Sequence, residues 1–124
     1  MDEKFNVVYE YTDEQAVEDG VLVPVGQLKS NLNGVTIDRL TINFYSWLTG
    51  LINPLENNGE EYFDPETIRY YLAQLNGYIE KSDDFMIVIN PVFLSQKDNQ
   101  SYTRKAWAMK NERNNYTVMF PEDY

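Results

Sequence analysis

Arg104-Lys105-Ala106-Trp107-Ala108-Met109-Lys110, Asn111-Glu112-Arg113-Asn114-Asn115 and Tyr116-Thr117-Val118-Met119-Phe120 follow one another near the end of the chain. The first run places Ala106, Ala108 and Lys110 on one side and Lys105, Trp107 and Met109 on the other. That alternation is the two-residue period of a half-buried strand. The middle run holds residues that favour turns. The third alternates again and stops at Pro121, which has no N–H for a ladder. Together they read as a β-hairpin. Upstream, Phe85–Asn90 is a near-continuous apolar run of strand length closed by Pro91, and supplies a third strand.

Further upstream the period changes. Asp64-Pro65-Glu66 carries a cap, a proline at the first helical position and an acid in the first turn. Ile68, Leu72, Leu75 and Ile79 then recur at helical spacing, so a helix is expected to about Glu80. Thr36–Thr49 is a second helical candidate, because Ile37, Leu40, Phe44, Trp47 and Leu48 share one helical face. A strand over Thr41–Tyr45 competes there, since β-branched and aromatic residues dominate; helix is preferred. Gly50 can end it, and the segment 53–62 reads as a turn-rich loop around Asn57, Asn58 and Gly59.

Nearest the N-terminus, Thr12 and Gln15 have the spacing of a capping box, Asp13–Asp19 makes about two turns, and Gly20 sits where a helix stops. Val21–Val25 follows as an extended piece, with Pro24 confining it to an edge. The expected architecture is α+β: N-terminal helices packed on a three- to four-stranded antiparallel sheet formed mainly by the C-terminal third, in a single domain over residues 1–124. The expected core is Ile37, Phe44, Trp47, Ile68, Leu72, Leu75, Ile87, Ile89, Trp107, Val118 and Phe120.

Three segments carry a resemblance. They are Tyr11-Thr12-Asp13-Glu14-Gln15-Ala16-Val17-Glu18-Asp19-Gly20-Val21-Leu22-Val23, the aliphatic stretch from Val35 to Trp47, and Tyr116-Thr117-Val118-Met119-Phe120-Pro121-Glu122-Asp123. Together they resemble an uncharacterised family of small proteins carried by bacteria, phages and plasmids. The resemblance implies a bacterial or mobile-element origin. It implies no activity, and no catalytic residue is carried over.

Composition excludes much chemistry. The chain has no cysteine and no histidine. Disulfides, thiolate nucleophiles, zinc–thiolate sites and histidine-based triads are therefore ruled out. Neither a Gly-x-Gly-x-x-Gly nor a Gly-x-x-x-x-Gly-Lys motif is present. No cofactor or metal is expected, nor is an enzyme, although carboxylate or Tyr catalysis stays open as a third reading. Twenty acids against ten bases give a net charge of −10. That charge disfavours direct nucleic-acid binding and anionic membranes. The charged N-terminus and the short apolar runs lead to the expectation of a cytoplasmic protein.

A basic protein partner fits the charge. Glu14 and Glu18 lie four apart on one helix face with Asp13 and Asp19 beside them, a spacing at which like charges repel. Such a face is either well solvated or turned to a partner. The candidate partner-binding residues are Glu10, Asp13, Glu14, Glu18 and Asp19. Ten tyrosines mixed with acids suit a partner that normally grips nucleic acid. The sharpest expectation is thus an inhibitor that imitates nucleic acid, of anti-restriction or anti-CRISPR type. The alternative is a self-associating structural or regulatory protein, a homodimer through the Tyr-rich helix or the edge of the terminal sheet. Arg104, Lys105, Lys110 and Arg113 form the one basic cluster and read as the solvated face of the hairpin, with pairing to a second copy as the other option.

Overall fold

Thr12 caps the first helix among the described residues, α1 (Asp13–Glu18), as its sequence predicts. The Thr12 side chain accepts the Gln15 N–H and the Gln15 side chain returns to the Thr12 N–H. The computed structural model describes residues 12–30, 36–79 and 84–124. After α1 come β1 (Leu22–Pro24), a 3-10 turn (Gly26–Leu28), β2 (Ile37–Thr41) and α2 (Ile42–Thr49). A small hairpin, β3 (Leu55–Asn57) and β4 (Glu60–Tyr62), leads to the long helix α3 (Pro65–Ile79). The chain closes with β5 (Met86–Ile89), β6 (Val92–Leu94), β7 (Ser101–Thr103), β8 (Ala106–Lys110), β9 (Tyr116–Met119) and a 3-10 turn (Pro121–Asp123).

The α+β class holds, and the sheet is larger and less uniform than expected. Its five strands run β1-β2-β9-β8-β5. The β8–β9 hairpin, its antiparallel partner β5 and the edge position of β1 follow the sequence reading. The β2–β9 pairing is parallel, so the sheet is mixed rather than antiparallel. Parallel neighbours need a long crossover, and here the chain from α2 through β8 supplies it. The segment 53–62 is not a plain loop: Asn58 and Gly59 both take positive φ and turn the β3–β4 hairpin.

The expected helix over Thr36–Thr49 is half right. Ile37–Thr41 is strand, and the helix begins at Ile42 with Thr41 as its cap. The cause is a bulge in β2, where the register shifts between Ile37 and Arg39. The extra residue, Asp38, lets Ile37 and Leu40 both face inward, three residues apart. A bulged strand thereby imitates the spacing of a helix.

One sheet face carries Ile37, Leu40, Val118, Ala106, Ala108 and Ile89 into the core, against Phe44 and Leu48 of α2 and Ile68, Leu72, Leu75 and Ile79 of α3. Rings interlock at its centre: Phe44 and Phe120 lie 5.2 Å apart, Trp47 and Phe120 5.8 Å, Trp47 and Phe93 5.8 Å, and Tyr71 and Phe93 5.5 Å. Trp47 and Ile87 are only partly buried at the border. Trp107 is not a core residue. It sits on the outer sheet face opposite Val88 and Met119, against the Tyr124 ring at 5.7 Å.

Candidate functional site

The bulge that misled the helical reading also builds the most highly charged site in the described structure. A bulge re-aims a side chain, and here it turns Asp38 into a nest of donors. Asp38 Oδ1 accepts from Asn111 Nδ2 at 2.7 Å, and Oδ2 accepts from Arg113 Nε and from Asn115 Nδ2. Only 7% of the Asp38 side chain is exposed. Gly26 lies against it so closely that a Cβ there would come within 3.0 Å of the Asp38 Cβ.

The β8–β9 turn is shaped for the task. Asn111 Oδ1 accepts the backbone N–H groups of Arg113 and Asn115, and Asn114 takes a positive φ. This folds Arg113 back across the end of the sheet. Its guanidinium bridges to Asp13, with Nη1 3.0 Å from Oδ1 and Nη2 3.2 Å from Oδ2. Arg39, beside the bulge, donates from Nε to Asp13 Oδ1 at 2.9 Å and from Nη1 to the Asp38 carbonyl at 2.9 Å. Two carboxylates and two guanidiniums thus close a cluster under α1, with the exposed Glu112 carboxylate 3.5 Å from Arg113 Nη1 at its rim. A cleft of about 400 Å³ opens beside it, lined by Thr12, Asp13, Glu14, Arg39, Glu112 and Arg113.

Burial alone would push the Asp38 carboxyl up. The hydrogen bonds from Arg113, Asn111 and Asn115, with the Arg113 charge, outweigh burial and hold it below its ordinary value. The Arg113 guanidinium is pushed up, chiefly by its bond to Asp38. Both groups are therefore locked in their charged forms at neutral pH. The ion pairs of Asp13 with Arg39 and Arg113 clamp α1 to the sheet.

The candidate residues divide. Asp13 belongs to the clamp, with 11% of its side chain exposed. Glu14, Glu18 and Asp19 remain exposed on α1 and just after it. Glu10 lies outside the described residues. Arg113 is not part of a solvated hairpin face: the bulged Asp38 and Asp13 draw it inward. Arg104 pairs with Glu122 at 2.8 Å and lies 3.6 Å over the Phe120 ring. Glu61 faces Glu56 and Glu60 faces Asn57 across the β3–β4 hairpin, where all six strand residues are exposed. Asn58-Gly59 was the available signal for that hairpin. Sequence reasoning missed the Asp38 role, and no local pattern marked it. Among the described residues, no group of three acids is placed to hold a metal ion.

Comparison with known protein families, curated proteins and solved structures finds no match for this chain.

Proposed function

We propose that the protein is a non-enzymatic binding protein that docks a basic protein partner through the exposed acids of α1. The observation that carries this reading is the division of labour on that helix. Asp13 is spent on Arg39 and Arg113, which fixes α1 to the sheet. Glu14 and Glu18 are then displayed from a short, capped helix held at its N-terminal end. A rigid display of like charge steers a cationic partner and loses little entropy on binding. The exposed Glu56, Glu60 and Glu61 of the β3–β4 hairpin add to the same sign of charge. Rigidly spaced carboxylates can stand in for phosphates, so the partner class favoured is a nucleic-acid-binding protein. The inhibitor reading, and the mobile-element origin that the resemblance implies, fit a net charge of −10.

The test is capture on the immobilised protein, comparing wild type with Glu14→Lys/Glu18→Lys. A basic protein held by wild type, released by rising salt and by competing duplex DNA, and lost from the double variant is the expected result. Retention by the double variant at undiminished strength would sink the assignment.

A second reading, self-association, draws on β5. This edge strand has no charged residue, and Phe85, Met86 and Val88 are exposed on or beside it. Edges of that kind invite pairing. Light scattering separates the two readings, since a dimer that persists in high salt belongs to the second.

A further inference from the structure

A second cleft, also of about 400 Å³, lies between the end of α2 and the loop joining β6 to β7. Its lining includes Trp47, Leu51, Lys97, Asp98 and Tyr102. That size falls in the range of sites that take small groups, roughly 300–1,000 Å³. The walls are set before anything binds. The Gln96 N–H donates to the Leu51 carbonyl at 2.8 Å, and the Asn53 N–H donates to Gln96 Oε1 at 2.9 Å. The Ser95 N–H closes the loop on the Gln100 carbonyl at 2.8 Å. Trp47 is anchored by its packing on Phe44, Phe93 and Phe120. Asp98 accepts from the Gln100 N–H at 3.1 Å and from the Tyr102 hydroxyl. These donors, Tyr102 first, hold its carboxyl below the usual carboxylate range. The cleft therefore joins an indole, a phenol ring and a fixed carboxylate within a mainly apolar lining.

We propose that this cleft receives an arginine side chain from a basic protein partner, its guanidinium paired with Asp98 and packed against Trp47 and Tyr102. Cations are drawn to aromatic faces, Trp above all. A guanidinium is planar, weakly hydrated and forked to match a carboxylate, so it suits this combination better than an ammonium. The chain's net charge of −10 favours a cationic guest in general. The inference rests on the reading above for the source of the arginine, though not for the site itself. Lys97 on the cleft wall opposes a cation, so removing its charge should strengthen binding.

The probe is N-acetyl-arginine amide, titrated into the full chain and followed by two-dimensional NMR, with N-acetyl-citrulline amide as the uncharged control. Saturable shifts are expected at the Trp47 indole N–H, Gly50, Leu51, Asp98 and Tyr102, and none with citrulline. Asp98→Asn keeps an acceptor for the Gln100 N–H and a partner for Tyr102, so it should fold and bind roughly tenfold more weakly. Lys97→Gln should bind a few-fold more tightly. Shifts scattered over the exposed acids, no saturable shift at all, undiminished binding by Asp98→Asn, or weaker binding by Lys97→Gln would each overturn the proposal. Because the probe needs no partner, its failure leaves the α1 reading standing, and failure of the Glu14/Glu18 test leaves the cleft standing.

Discussion

Asp38 has three side-chain donors around it and is almost wholly buried. Removing one partner of such an arrangement costs far more than the arrangement's net worth, because the other groups stay buried and unpaired. Asp38→Ala should lower stability in urea by about 3 kcal/mol, the low end of the range for broken buried pairs because Arg113 keeps Asp13 and some solvent. The pH dependence has a definite sign. The folded-state carboxyl is depressed at Asp38, and at Asp123 too, where bonds from Asn43 and Thr41 outweigh burial. Each contributes stability that is fully present above the unfolded value, about 4, and lost as pH falls through the folded one. Stability should therefore be flat in this respect above about pH 5 and drop below about pH 4, and the gap between wild type and Asp38→Asn should shrink in acid. Gly26 is the steric counterpart. Gly26→Ala presses on the Asp38 Cβ at 3.0 Å, and overpacking of that kind should cost about 1 kcal/mol, measured as a lowered melting temperature.

Elements were legible where their signals are local. The capping box, the proline start of α3, the alternation of β8 and β9 and the Asn58-Gly59 turn are all written within about four residues of the structure they cause. Only the first part of the Thr36–Thr49 segment departs from the helical reading, because a bulged strand and a helix both bring residues three apart to one face. Arg113 is read as solvated from sequence because the two acids that draw it inward, Asp38 and Asp13, lie 75 and 100 residues away. At this scale the cap is testable. Thr12→Ala removes the acceptor for the Gln15 N–H and should cost about 1 kcal/mol. The loss should appear as faster amide exchange within α1 while α3 keeps its protection, because the clamp on Asp13 is untouched. Equal loss of protection in both helices would show that α1 unfolds only with the whole domain.

The whole molecule is held by rings that come from four separate segments: α2, α3, β6 and the end of β9. Phe93, fully buried, joins the β6–β7 hairpin to Trp47 and Tyr71. Phe93→Ala should destabilise by about 3–5 kcal/mol in chemical denaturation, a large share of a small domain's stability. It should also loosen the second cleft, since Trp47 loses a wall. From the sequence alone come the exclusion of cysteine and histidine chemistry, the acidic surface, α3, the terminal hairpin and eight of the buried core residues, because composition and i to i+4 patterns need no knowledge of distant chain. Tertiary structure alone decided the parallel pairing of β2 with β9, the burial of Asp38, the withdrawal of Asp13 from the acidic face and the cleft between Trp47 and Asp98. Each of these depends on which distant segments meet, and on the burial that makes a charge seek a partner it would not need in water.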